Sequence, residues 1–138
     1  MNKKTVFLGG TCNGSTWRAQ IIPKLKVNYF NPVVGDWNEK SQQKENEMKQ
    51  ICDFFLYVIT PEMTGTFSIA EAVDSSNKNP EQTVFVILKE YDTKKFTAEQ
   101  WRSLETCAGL VKNNGAKVYF DLTPAVSYIN GDDQCESI

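Results

Sequence analysis

The chain has 138 residues, a net charge of -2 at pH 7, 23% charged residues and no histidine. This length suits one hydrophobic core, and we expect a single domain over residues 1–138, with its core at about 4–120 and a tail at 121–138. The mixed charges exclude a nucleic-acid groove, and the lack of histidine excludes His-based triads and His-based metal sites.

The first predicted strand covers residues 5–8 and ends in a loop rich in glycine. Gly9 and Gly10 are candidate binding residues, because two glycines at the end of a strand let a ligand approach the backbone closely. The loop lacks the G-x-G-x-x-G pattern, and Ser15 stands where a P-loop requires lysine. A helix is predicted at about 15–25, with Pro23 kinking or ending it. Its Trp17 lies on the apolar stripe, which favours the core over base stacking.

A second strand is predicted at 27–32, followed by an apolar loop that carries Asp36 and Trp37. Asp36 with Glu39 resembles a capping box, so a helix cap is the alternative to a role in a site. For Trp37 the sequence favours neither packing in the core nor contact with a ligand.

The next helix, at about 38–52, is polar and carries few apolar residues, Met48 among them. At ~100° per residue, Glu45 lies about 60° from Met48, at the edge of the buried face. Carboxylates are costly in such places, which makes Glu45 a candidate for function. A solvated charge beside neighbouring lysines is the alternative.

Residues 54–60 are apolar or β-favouring without alternation, which is typical of a parallel strand buried on both faces. Pro61 ends this strand, Gly65 permits a tight turn, and a helix is predicted from Thr66 or Ser68 to about residue 76. Glu71 would lie in its first turn, at the carboxyl end of a central strand, where open α/β sheets bind ligands. The alternative is a capping box between Ser68 and Glu71.

The rest of the chain continues the alternation of strands and helices. It predicts a strand at 83–88, a charged loop at 89–96, a helix capped by Thr97 and Gln100 that stops at 113–115, and a strand at 116–120. We therefore expect an α/β fold: a three-layer α/β/α, flavodoxin-like, five-stranded parallel sheet of order 2-1-3-4-5. In that order the ends of strands one and three adjoin, so residues 9–11 and 63–65 would face one crevice.

Three features of the sequence limit where the protein is expected to act and which chemistry it can use. No apolar run approaches the ~20 residues of a membrane span, and the chain begins without a signal-peptide pattern, so we expect a cytoplasmic protein with no membrane partner. The four cysteines form no C-x-x-C pair, and we predict buried or incidental thiols with no metal site. Acid–base chemistry is left to carboxylates, tyrosine, lysine or cysteine.

A carboxylate in a crevice suits glycosyl transfer by retaining double displacement. The carboxylate attacks the anomeric carbon, a covalent sugar ester forms, and an acceptor resolves it. A second carboxylate would stabilise the oxocarbenium-like transition state.

The chain resembles the nucleoside 2-deoxyribosyltransferase family from about Val6 to Leu88, especially its short bacterial and phage relatives. The resemblance is carried by the following motifs: Val6-Phe7-Leu8-Gly9-Gly10-Thr11, Trp17-Arg18, Phe30-Asn31-Pro32, Asp36-Trp37, Cys52-Asp53, Gly65-Thr66 and Ala70-Glu71. It implies a flavodoxin-like fold, homo-oligomers with sites completed by a neighbour, and exchange of nucleobases on 2-deoxyribose without a cofactor. Some relatives instead hydrolyse nucleoside monophosphates.

By position, Glu71 matches the nucleophilic glutamate of the family, and Glu45 matches an aspartate that holds the substrate. Asp36 and Glu45 would place the sugar or carry the proton. The implied substrate-binding residues are Gly9, Gly10, Thr11, Asn31, Trp37, Met63, Thr64 and Gly65. The chain departs from the family in two places. Phe7 stands where well-studied members carry a tyrosine that orients the nucleophile, and residues 63–65 lack a base-recognising aspartate.

The resulting hypothesis is an enzyme that cleaves or exchanges the N-glycosidic bond of 2-deoxynucleosides or their monophosphates. Its partner would be a small nucleoside or nucleotide, not a nucleic-acid polymer. The two departures favour an alternative, a catalytically inactive nucleotide- or nucleoside-binding module of the same fold. A third possibility is a phosphate or flavin binder that uses Thr11 and Ser15 beside a helix N-terminus.

Overall fold

A computed structural model describes residues 3–12, 14–33 and 38–132 of the protein. The elements, in chain order, are β1 (Thr5–Gly10), α1 (Trp17–Ile21), β2 (Asn28–Phe30), α2 (Glu39–Ile51), β3 (Phe54–Ile59), α3 (Phe67–Lys78), β4 (Thr83–Ile87), β5 (Glu90–Tyr91), β6 (Lys94–Lys95), α4 (Ala98–Asn113), β7 (Lys117–Tyr119) and α5 (Leu122–Asn130). Short 3-10 segments at Ile22–Lys24 and Pro80–Gln82 follow α1 and precede β4.

The central sheet has five strands in the order β2-β1-β3-β4-β7, and each neighbouring pair is parallel. Because β5 and β6 form a separate hairpin, β7 is the fifth strand of this sheet. The predicted three-layer α/β/α fold and the flavodoxin-like order 2-1-3-4-5 are therefore confirmed. The inner strands are buried along nearly their whole length, as expected of a sheet covered on both faces.

Alternate side chains of the strands point to opposite faces, and each face has its own core. The first core contains Phe7, Tyr57 and Phe85 of the sheet and is covered by α2, α3 and α4. The second contains Leu8, Val58 and Val86 and is covered by α1 and α5. The cavity described below opens beside the first core.

Local sequence signals explain most of the boundaries. Helix α1 is shorter than predicted, because Pro23 belongs to the 3-10 segment that follows it. The predicted capping box at the start of α4 is present, with the Thr97 hydroxyl accepting from the Gln100 backbone amide at 3.0 Å. The cap of α2 is Asn38, whose side chain accepts from the Ser41 amide at 2.9 Å, and Asp36, the cap that the sequence suggested as an alternative, lies outside the described residues.

Two segments have more structure than the sequence predicted. The charged loop contains the β5–β6 hairpin, and its turn residues Asp92 and Thr93 both have positive φ, as a type I′ turn requires. The tail contains α5, which buries Ala125, Val126 and Ile129 against the sheet. The predicted tail at 121–138 therefore contains a packed helix over residues 122–130.

Candidate active site

A cavity of about 540 Å³ lies at the carboxyl end of β1, between α2 and α3. This volume is within the usual range for small-molecule sites. Its walls come from five parts of the chain: β1 with the residue Cys12 after it, Arg18 of α1, the segment after β2, one face of α2 and the first turns of α3. The lining residues are Phe7, Gly9, Gly10, Cys12, Arg18, Pro32, Val33, Gln42, Glu45, Asn46, Lys49, Phe67, Ser68 and Glu71.

The floor of the cavity depends on two glycines at the end of β1. A Cβ on Gly9 would lie 2.7 Å from the ring of Tyr57, and one on Gly10 would lie 2.2 Å from the carbonyl oxygen of Val58. Gly10 also has a φ of +121°, which favours glycine. The two glycines were predicted to let a ligand approach the backbone. In the structure, atoms of the neighbouring strand β3 approach them closely on one side, and both glycines line the cavity.

Helix α3 begins at Phe67, between the two predicted starts, and Glu71 is its fifth residue, in the second turn instead of the first. The N-cap, Thr66, makes no side-chain cap hydrogen bond, and Glu71 contributes none. Its carboxylate lines the cavity and its side chain is 14% exposed. The capping-box alternative for Glu71 is therefore wrong, and the carboxylate is available to the cavity.

Glu45 and Lys49 reach the same cavity from α2, one turn apart. The Lys49 ammonium forms an ion pair with Glu71 Oε2 and lies 3.2 Å from Glu45 Oε2. The side chains of Glu45 and Lys49 are 17% and 29% exposed. Glu45 thus lies at the edge of the buried face, as its helical position predicts, and the alternative of a fully solvated charge does not hold.

Electrostatics strengthen this cluster. Burial alone would lower the pKa of Lys49, but hydrogen bonds and charge from Glu71, and then from Glu45, outweigh burial and raise it. Lys49 therefore stays protonated at neutral pH. The ammonium also lies 5.3 Å from the centroid of the Phe7 ring, a cation–π distance.

A family described as nucleoside 2-deoxyribosyltransferase-like matches residues 3–91 of the 138. The chain belongs to the nucleoside 2-deoxyribosyltransferase-like family. Separate comparisons with curated proteins and with solved structures gave no match.

The part matched by the nucleoside 2-deoxyribosyltransferase-like family runs from β1 to β5 and contains every residue that lines the cavity. Helix α4, strand β7 and helix α5 lie outside the match. These three later elements complete the sheet and its two cores and contribute no cavity wall.

Several predicted substrate-binding residues lie beside the main cavity instead of in it. Thr11 and residues 63–65 line a smaller cavity of about 270 Å³, which shares Gly10, Cys12, Phe67 and Ser68 with the main one. Thr11 also has a structural role, since its hydroxyl accepts from the Thr60 amide at 2.9 Å. Asn31 lines a third cavity, next to Arg18 and Val33.

Two predicted site residues, Asp36 and Trp37, lie outside the described residues. Trp17 is fully buried, and its indole nitrogen donates to the Thr11 carbonyl at 2.8 Å, as expected of a core residue.

Lining residues without a predicted role include Arg18, Phe67 and Lys49. Arg18 is buried and donates to the carbonyls of Leu8 and Thr11 at 3.1 and 2.8 Å, and burial lowers its pKa. Phe67 is 73% exposed at the mouth of the cavity. Lys49 follows Glu45 by one helical turn, so i, i+4 spacing would have identified it.

Within residues 3–12, 14–33 and 38–132, no group of three or more cysteine, aspartate or glutamate side chains could hold a metal ion. No helix in that part of the chain is long and apolar enough to cross a membrane.

Proposed function

We propose that the protein cleaves or exchanges the N-glycosidic bond of 2-deoxynucleosides or their 5′-monophosphates, with Glu71 as the nucleophile. The observation that carries this proposal is the position of Glu71: its carboxylate lines a cavity of suitable size, next to the glycines of β1, within the family match. Membership of the family makes a nucleoside or nucleotide the substrate class that suits this cavity.

The reaction would proceed in two displacements at the anomeric carbon. An oxygen lone pair of Glu71 attacks C1′, the C1′–N bond breaks, and its electron pair leaves with the base, which takes up a proton. An acceptor, either water or a second base, then attacks C1′ and returns the ester electron pair to Glu71. The acceptor loses a proton in this step, so charge and atoms balance over the cycle.

The other carboxylates have supporting roles in the proposal. Glu45 faces the same cavity and would stabilise the positive charge that develops on the sugar. Asp36 or Glu45 would bind the sugar hydroxyls or carry the proton to the leaving base. Gly9 and Gly10 would form a backbone wall for the sugar, and Phe67 would contact the base at the mouth of the cavity.

The test is direct. The protein is incubated with thymidine and adenine, and separately with deoxynucleoside 5′-monophosphates, and the bases and nucleosides are separated by chromatography. We expect exchange or base release that falls at least about 1000-fold in Glu71→Gln. Glu105→Gln, an exposed glutamate on α4, is the matched control and should keep full activity. Full turnover by Glu71→Gln would refute the assignment of the nucleophile.

A binding module without catalysis is the second candidate, and one observation favours it. The ion pair with Lys49 neutralises the carboxylate that would have to attack the sugar. Saturable binding of thymidine or a deoxynucleoside monophosphate by calorimetry, with no turnover in the same sample, would select this candidate. Measurable turnover that depends on Glu71 would exclude it.

A further inference from the structure

Glu71 needs help to act as a nucleophile, because a glutamate side chain has several rotatable bonds and its attacking oxygen must be held close to C1′. Phe7 of β1, which lines the same cavity, cannot provide that help. Phe7 has no polar atom in its side chain, and its ring forms part of the cavity wall. A carboxylate next to such a ring is poorly solvated unless another group pairs with it.

Lys49 is the group that pairs with it. Among the described residues, the ammonium of Lys49 is the one hydrogen-bond donor to the Glu71 side chain, and it contacts Oε2. The other carboxylate oxygen, Oε1, has no hydrogen-bond partner within that part of the chain. Among the described residues, one oxygen is thus held while the other has no donor.

The ammonium is itself held from two further sides. Glu45, one turn earlier on α2, binds it at 3.2 Å, and the face of the Phe7 ring lies 5.3 Å away. The position of Lys49 is therefore determined by a helix, a strand and a second carboxylate. A cation fixed in this way can hold Glu71 of α3 in one orientation relative to the end of β1.

We propose that Lys49 is a positioning residue for the glycosyl-transfer reaction: it fixes Glu71 through Oε2 and leaves Oε1 directed at the anomeric carbon of the substrate. This inference rests on the proposed function and adds the group that orients its nucleophile. Glu45 then has a second role, since it holds Lys49 in place.

Two other roles for Lys49 fit the structure less well. A proton donor to the leaving base works best with a pKa near the operating pH. The two carboxylates favour the charged ammonium, so Lys49 retains its proton. A purely inhibitory lock would be more effective if it engaged both oxygens of Glu71, whereas the contact in the structure uses Oε2.

The test compares Lys49→Met, Lys49→Arg and Lys49→Ala with the unaltered protein, using the thymidine and monophosphate substrates of the proposed function. We expect Lys49→Met to lower kcat by about 10- to 100-fold and to change KM less than about 3-fold. The reason is that Glu71 loses its fixed orientation, while the residues that line the cavity and bind the substrate are otherwise unchanged. Lys49→Arg retains a cation and should stay within about 5-fold of the unaltered kcat. Lys78→Met, which removes an exposed ion pair with Asp74 on α3, is the matched control.

Chemical rescue separates positioning from a general structural effect. Methylammonium or ethylammonium should restore part of the kcat of Lys49→Ala in a saturable way, whereas tetramethylammonium, which has no N–H donor, should not. Circular dichroism of each variant checks that it is folded. If Lys49→Met does not fold, the comparison of Lys49→Arg with the unaltered protein still tests the proposal.

The outcomes distinguish the inference from the function on which it rests. If Glu71→Gln is inactive while Lys49→Met retains its kcat, or gains activity, the function stands and the positioning role is wrong. An equal loss in Lys49→Met and Lys49→Arg without amine rescue also contradicts it. If the unaltered protein turns over none of the substrates, both proposals fail.

Discussion

Gly10 illustrates at the scale of one residue how the fold constrains the site. Its backbone runs so close to β3 that a Cβ would lie 2.2 Å from the Val58 carbonyl oxygen and 2.6 Å from the Val58 nitrogen. These are backbone atoms of a central strand and cannot move aside as the end of a flexible side chain can. The glycine is therefore required by strand packing as well as by its φ of +121°.

We predict that Gly10→Ala lowers the free energy of unfolding by more than about 3 kcal/mol or prevents folding, because steric overlap adds to backbone strain. Gly14→Ala is the matched control. Gly14 also has a positive φ, of +75°, but a Cβ there would meet no described atom within 4 Å. In that variant the free energy of unfolding should fall by only about 1 kcal/mol. Urea unfolding measures both, and equal losses would show that backbone strain alone matters at Gly10.

Helix α5 is an element whose role only the folded chain makes visible. It lies outside the family match, yet it covers the second face of the sheet together with α1. Ile129 is 2% exposed within that core. The tail is therefore part of the structure through residue 130, the end of α5.

We predict that Ile129→Ala lowers the free energy of unfolding by about 3 kcal/mol, because it removes a large buried side chain and leaves a cavity. Thr123→Ala, at an exposed position of the same helix, should change it by less than about 0.5 kcal/mol. Thermal or urea unfolding of the two variants provides the comparison. A loss below 1 kcal/mol for Ile129→Ala would mean that α5 does not pack on the sheet in solution.

The elements also show which features are accessible to sequence reasoning. The buried strands β3 and β4 were predictable from continuous apolar runs, and the start of α4 from its capping box. The β5–β6 hairpin was missed because its strands have two residues each and its turn contains neither glycine nor asparagine. Helix α5 was missed because Pro124 and its mixed composition hide a short apolar stripe.

The candidate site, too, was predictable from the sequence only in part. The positions of Glu71 and Glu45 in one cavity follow from parallel topology and helical periodicity, both of which can be derived from the sequence. The ion pair between Lys49 and Glu71 joins two different helices and depends on how each helix packs on the first core. Such tertiary contacts have no signature in a local pattern.

At the scale of the whole molecule, three buried or paired groups have a raised pKa and share one consequence for stability. Burial, and then the charge of Asp53, raises the pKa of the Cys52 thiol from 9.0 to about 11. Burial, and then the charge of Glu71, raises the pKa of Tyr57 above its usual 10.0. Carboxylate partners outweigh burial and raise the pKa of Lys49 above 10.5. The folded protein therefore binds more protons than the unfolded chain above about pH 9.

We predict that the free energy of unfolding is insensitive to these groups below pH 9 and falls as the pH rises from 9 to 11. The sign follows from linkage: where the unfolded state binds fewer protons, stability decreases with pH, by at most about 1.4 kcal/mol per pH unit for each group. Urea unfolding at half-unit pH intervals measures the slope. Cys52→Ala should flatten its first part, between pH 9 and 10, because that thiol is the first of the three to ionise in the unfolded chain. Ile129→Ala is less stable at every pH but retains the three groups, so its slope should match that of the unaltered protein. A flat profile in the unaltered protein, or an unchanged slope in Cys52→Ala, would contradict the assignment of alkaline sensitivity to this core.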